Sequence, residues 1–161
     1  MLRYIGALAL VLSSWAVGAV IAAYEKETLK TLDALYDMNE YIRRRIKSGR
    51  VPLRIIFSQY RNERLEKQGF LQIMRQSGDI SVLWESAAEQ LPIGGEAKEA
   101  CLAFGAELGK LGYDDQEKRL DEFSAFLMSE REKTGAGLKD RQRSVRVCAL
   151  LIGLLAAILL I

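Results

Sequence analysis

Two uncharged apolar stretches stand towards the ends of this chain, and an amphipathic pattern fills what lies between them. Ile5 to Ala23 holds nineteen residues without a charge. As a helix rising 1.5 Å per residue it covers about 28 Å, close to the ~30 Å of a bilayer's hydrocarbon core. Tyr4 and Tyr24 flank it, where rings with an apolar body and a polar tip favour a membrane interface. The run "VCALLIGLLAAILLI", Val147 to Ile161, is shorter, about 22 Å if helical. It is apolar on every face, so it has no polar side to lay along a surface, and Arg143 and Arg146 are long enough to snorkel towards headgroups. The pattern predicts transmembrane helices at 1–24 and 145–161 around a middle domain at 25–144. A cleaved signal peptide is the rival reading of the first run: Met1-Leu2-Arg3 is a short basic start, and Val20-Ile21-Ala22 offers small-residue cleavage. The run is longer than the roughly 7–15 apolar residues such peptides use.

In the middle, apolar residues recur at steps of three and four, the helical period. Leu29, Leu32, Leu35, Tyr36, Ile42 and Ile46 mark one helix, ending at Ser48-Gly49. Pro52 suits the start of a second, with Leu53, Ile56, Phe57 and Tyr60 on its apolar face. After the break at "QSGDI", Asp79 is positioned to cap a helix carrying Leu83, Trp84, Ala87 and Leu91, which "LPIGG" stops. Glu96 to Leu111 places Ala97, Ala100, Cys101, Phe104, Leu108 and Leu111 on one face, with Gly112 as its C-cap. Asp114 or Asp115 is the expected N-cap of a last helix bearing Leu120, Phe123, Phe126 and Leu127, weakened locally by Gly135 and Gly137. There is no alternating strand pattern and no internal repeat. The expected fold is all-α: a small antiparallel helical bundle flanked by two transmembrane helices.

Charge orients this hairpin. Apart from Arg3, the charged residues run from Glu25 to Arg146, among them Lys26, Lys30, Arg43, Arg44, Arg45, Lys139, Arg141, Arg143 and Arg146. The positive-inside rule puts the middle domain in the cytoplasm. A net charge of +2 with no basic patch interleaved with aromatics argues against nucleic acid.

The absence of any histidine removes the commonest general base and metal ligand. Cys101 and Cys148 fall in apolar patterns and read as packing residues. No nucleotide-binding glycine loop occurs. Asp114-Asp115 reads as a cap, because sequence neighbours do not face one another on a helix. A non-enzyme with no cofactor, metal site or catalytic residue is expected.

The remaining candidates concern contacts. Ser14, Gly18 and Ala22 recur every four residues in the first run, as do Ala149, Gly153 and Ala157 in the second, forming small-residue faces on which membrane helices approach closely. Arg43, Arg44 and Arg45 form a candidate site for an acidic partner, the alternative being a solvated face turned to anionic lipid. Gln116 is a second contact candidate, or a first-turn packing residue. Gly105 and Gly109 read as points of close packing within the bundle.

"SGRVPLRIIF", "AFGAELGKLGYDDQEKRL" and "LLIGLLAAILLI", at this spacing and in this topology, resemble the stage III sporulation protein AB family along essentially the whole chain. Gly49, Pro52 and Leu53 match its G-x-x-P-L element; Leu108-Gly109, Gln116, Lys118 and Leu120 match its L-G…Q-x-K-x-L element; and Gly153 matches a glycine of its C-terminal span. Arg45 and Gly112 stand where that family usually carries acids. The resemblance implies a bundle similar to the inner-membrane platform proteins of type II secretion and type IV pili. It further implies a channel complex between mother cell and forespore, a multi-protein assembly, and a secretion-type ATPase partner similar to stage III sporulation protein AA. Two other readings stay open: a membrane-tethered regulatory module, and an exported soluble helical protein.

Overall fold

Every described element of the computed structural model is a helix. They are α1 (Leu2–Gly49), α2 (Leu53–Gln59), α3 (Glu63–Lys67), α4 (Phe70–Met74), α5 (Ile80–Glu89), α6 (Gly95–Glu107) and α7 (Tyr113–Leu160), with no strand among the described residues. The structure describes the backbone of residues 2–49 and 51–160, and the side chains of residues 20, 23–49, 51–138, 140, 144 and 148. The chain divides into two units: Met1–Glu27 with Lys133–Ile161, and Thr28–Glu132. Among the described residues no helix is long and apolar enough to cross a membrane; nearly all side chains of the two apolar runs lie outside the described residues.

Within Thr28–Glu132, α1 and α7 are antiparallel. Asp33 pairs with Arg131 at 2.5 Å, Asn39 donates to Ser124 at 2.7 Å, Arg43 pairs with Asp121, and Lys47 pairs with Glu117 at 3.0 Å. Partners advance along one helix as they retreat along the other. The buried stripe of α1 is Thr31, Leu32, Leu35, Met38, Asn39, Ile42 and Ile46, the three-and-four spacing that one helix face requires. From α7 it meets Leu120, Phe123 and Leu127, all buried.

The short helices close the core from the other side. Pro52 precedes α2, and its carbonyl accepts from Ile55 and Ile56 amides at 2.9 and 3.2 Å. The stretch between Tyr60 and Gln76, for which the pattern gave no break before "QSGDI" and no separate helix, holds α3 and α4. Each has only five residues, too few to display a periodic pattern, so local chemistry defines them. The Asn62 side chain accepts from the amides of Arg64 and Leu65 and caps α3. Gly69, at φ +78°, turns the chain into α4 in a conformation disfavoured for any residue with a Cβ. Asp79 caps α5 as expected, accepting from the Ser81 amide and hydroxyl at 2.8 and 2.6 Å. These bonds, the hydroxyl's first, hold its carboxyl below the usual carboxylate range.

Two expectations at the α6–α7 junction are corrected. Helix α6 ends at Glu107, not Leu111: Leu108 is extended and Gly109 takes φ +82°. The turn therefore belongs to Gly109 and not to Gly112, and Leu111 leaves the apolar face, 37% exposed. Helix α7 already begins at Tyr113, so Asp114 and Asp115 lie in its first turn and are not its N-cap; there the helix dipole favours negative charge. Gly135 and Gly137 do not interrupt α7.

Trp84 is the centre of the core. Its ring is edge-on to Phe70 at 5.1 Å, to Phe104 at 5.2 Å and to Phe57 at 6.3 Å, and Phe104 stacks on Phe123 at 4.2 Å. The indole N–H donates to the Cys101 carbonyl at 2.8 Å, satisfying the one polar group that burial of a tryptophan leaves in question. Cys101 itself is buried as expected, and burial pushes its thiol up to about 12. Cys148 is exposed.

Candidate partner-binding surface

Helix α1 presents its three consecutive arginines in three different environments, because each step along a helix rotates the side chain by about 100°. Arg43 faces α7, bonded to Asp121 and, at 3.0 Å, to Glu40. Arg45 turns the other way: its Nε donates to the Tyr41 hydroxyl at 3.2 Å, its Nη2 to Gln59 Oε1 at 2.8 Å, and its guanidinium lies 5.4 Å from the Tyr41 ring centre. Arg44 points outward, exposed and without an ion pair among the described residues. The run thus separates into one arginine joining α1 to α7, one joining α1 to α2, and one offered to solvent. Exposed pairs such as Arg43–Asp121 contribute little individually, so Arg43→Gln should lower stability in urea denaturation by no more than about 1 kcal/mol.

Gln116 is buried at 7% exposure, one turn into α7, and its side-chain Nε2 finds no partner among the described residues. Its backbone N–H donates to the Gly112 carbonyl at 2.8 Å, the first-turn bond that starts α7.

The two segments that carry the family resemblance in the middle domain meet in space. A Cβ on Gly109 would lie 3.5 Å from Leu53 Cδ1, in ordinary contact, and Leu108 and Leu53 are both buried. Pro52 orients Leu53 by opening α2, while Gly49 closes α1, where an added Cβ would lie 3.4 Å from Val51 Cγ2. The G-x-x-P-L and L-G elements are therefore two sides of one junction, between the α1–α2 turn and the α6–α7 turn. Ser14, Gly18, Ala22, Ala149, Gly153 and Ala157, the small-residue faces, lie outside the residues whose side chains are described.

A buried polar chain went unread in the sequence. Asn39 Nδ2 donates to the Leu120 carbonyl and to Ser124 Oγ, both at 2.7 Å. Ser124 in turn donates to Glu40 Oε1 at 2.9 Å, and Glu40 pairs with Arg43. The signal was present: Thr31 and Asn39 are polar residues on the stripe that otherwise reads Leu32, Leu35, Met38, Ile42. A buried amide on such a stripe requires a partner. Which residue provides it depends on the register of α1 against α7. Thr31 illustrates the same point from α3's side, accepting from Gln68 Nε2 at 2.8 Å.

No curated protein and no solved structure matches the chain. The family model described as stage III sporulation protein AB matches residues 3–161, which takes in both apolar runs, the junction of Leu53 with Gly109 and the whole helical unit between. The chain belongs to the stage III sporulation protein AB family.

Proposed function

We propose that the protein is a non-catalytic inner-membrane platform that couples a cytoplasmic secretion-type ATPase to a channel assembly during endospore formation. Its family gives it a sporulation-related role and is not a known enzyme family. The finer reading is carried by where the core residues come from. The helices that contain the apolar runs also supply Leu32, Leu35, Met38 and Ile42, and Leu120, Phe123 and Leu127, to the core of Thr28–Glu132. In this reading the runs at 1–24 and 145–161 cross the membrane and the bundle lies on the cytoplasmic side. A force on the bundle then reaches two helices that are part of its close-packed interior, which transmits strain because it has few voids to absorb it. The small-residue faces would pack those helices against each other or against other channel subunits.

The test uses the tagged full-length chain, extracted in mild detergent from membranes of sporulating cells. It should retain residues 1–24 by intact mass and co-purify with an ATPase similar to stage III sporulation protein AA. A chain lacking that segment points to an exported protein. A membrane-bound, intact chain that never retains the ATPase, even in low-salt buffer, makes the regulatory tether the better account.

A further inference from the structure

We propose that the helical unit Thr28–Glu132 docks head-to-tail on a second copy of itself, the basic face around Arg44 and Arg61 of one seated on the acidic outer face of α5 and α6 of the next. The near-neutral total hides a segregation. Residues 41–78 hold ten lysines and arginines against two glutamates, a net +8, whereas residues 79–107, which contain α5 and α6, hold one lysine against six carboxylates, a net −5. Pairs across the α1–α7 contact, Arg43 with Asp121 and Lys47 with Glu117, neutralise only a part of this.

Part of what remains on the basic side is held by neutral acceptors, which satisfy hydrogen bonds without cancelling charge. Arg61 donates to the carbonyls of Ser58 and Tyr60 at 2.6 and 3.0 Å. Arg75 donates to the same Tyr60 carbonyl at 2.9 Å, which brings two guanidinium groups side by side. Of the two glutamates in the segment, Glu66 pairs with Arg75 and Glu63 with Lys67. Arg44 and Arg61 are exposed and have no ion pair among the described residues.

The acidic side is disfavoured by its own helix. Glu85 and Glu89 stand four apart on the exposed face of α5, a like-charge spacing that weakens a helix. Glu89 occupies the last turn, where the dipole disfavours an anion. Lys98 reaches the Glu89 main-chain carbonyl at 2.6 Å, but neither Glu85, Glu89 nor the exposed Glu99 has an ion pair among the described residues. Charges that cost local stability without a compensating contact in the fold point to a contact outside it.

The two faces cannot satisfy one another within one molecule. Trp84 occupies the inner side of α5 and reaches Phe57 of α2 and Phe70 of α4. The aromatic core therefore lies between the outer face of α5 and the basic rim that follows α2 and α4. Two opposite, mutually complementary patches on one chain make a heterologous contact, which propagates from copy to copy. A lipid surface is the poorer occupant of the basic face. Arg44 is sixteen residues beyond Thr28, about 24 Å along α1 from the end where the chain continues to its first apolar run, and so roughly three Debye lengths away in physiological salt. An unrelated acidic partner would leave the acids of α5 without a role.

Exposed charge pairs are individually weak, so association depends on salt and gains from the raised effective concentration of copies confined to one membrane. The inference stands independently of the ATPase reading. Its test is sedimentation velocity of the full-length chain in detergent micelles, at low salt and at about 0.5 M salt, where screening is nearly complete. The double variant Arg44→Glu, Arg61→Glu reverses the unpaired charges of the basic face, and Glu85→Lys, Glu89→Lys reverses those of the acidic one. Each alone should stay monomeric with wild-type helical circular dichroism, and an equimolar mixture should associate about tenfold or more tightly than either. If a reversal variant loses helicity, the neutral pair Arg44→Gln with Arg61→Gln and Glu85→Gln with Glu89→Gln replaces it, and both should weaken wild-type association. A monomeric wild type overturns the proposal. So does association indifferent to salt and to both variants, loss in the basic-face variant alone, or a mixture that fails to recover.

Discussion

Replacing Gly105 by alanine should destabilise the helical unit by about 3 kcal/mol or more, although alanine is the better helix former by about 1 kcal/mol. The reason is the ring of Trp84. A Cβ on residue 105 would lie 1.9 Å from its Cδ1, 2.5 Å from Cγ and 2.6 Å from Nε1, far inside van der Waals contact. Movement of the backbone or the ring is required, and the ring is poorly placed to move. It is fully buried among Phe57, Phe70 and Phe104 and held by its bond to the Cys101 carbonyl. Steric cost outweighs helix propensity here. Urea denaturation followed by circular dichroism checks the sign and size. The variant Trp84→Leu should by itself cost roughly 2–4 kcal/mol through lost packing, yet Gly105→Ala should become nearly harmless in its presence. A single Gly105→Ala variant within about 0.5 kcal/mol of wild type would show that the close approach of α6 to Trp84 is absent.

Asn39→Asp should be the next most damaging change, at about 3 kcal/mol near neutral pH, with a pH dependence added to that of the wild type. The substitution is nearly isosteric, but it removes both hydrogens donated to the Leu120 carbonyl and Ser124 Oγ. It also sets a carboxylate against a carbonyl oxygen and one hydroxyl away from Glu40. Burial and the neighbouring negative charge raise the folded pKa of the new acid above its unfolded value. The unfolded state therefore releases the proton at lower pH, and the penalty is fully present above the raised folded pKa. It should shrink as the pH falls towards the ordinary carboxylate range, where a protonated acid can again donate one bond. Denaturation midpoints of variant and wild type should converge on acidification. A constant difference across that range would mean that the Asn39 amide is not the donor joining α1 to α7.

Both predictions concern features that the pattern of residues only partly announces. The apolar stripes of α1, α2, α5 and α7 were readable because burial of one face imposes a period of 3.6 residues, and Leu32, Leu35, Ile42, Leu53, Ile56, Trp84, Ala87, Leu120 and Phe123 are buried where that period placed them. Helices α3 and α4 were not, since five residues cannot establish a period and their stop and start depend on Asn62 and Gly69 in particular conformations. The end of α6 was misread because three glycines, Gly105, Gly109 and Gly112, compete for the same role. Local pattern does not say that Gly105 must admit a tryptophan ring and that Gly109 takes the left-handed turn.

The arginine run shows the same limit at the candidate surface. Its positive charge was plain from three consecutive letters, but consecutive residues on a helix point in three directions. Only the packing of α7 and α2 against α1 decides that Arg43 is drawn to Asp121, Arg45 to Gln59, and that Arg44 is left outward. Helical class, the amphipathic faces, the paired apolar ends and the family were determined by the order of residues alone, because periodicity and hydropathy are local properties of a chain. The antiparallel register of α1 on α7, the Asn39–Ser124–Glu40 chain, the seat of Trp84 on Gly105 and the sorting of the arginines were decided by tertiary structure. Each joins residues far apart in sequence, and a contact of that kind exists only once the packing of whole helices has chosen which side chains meet.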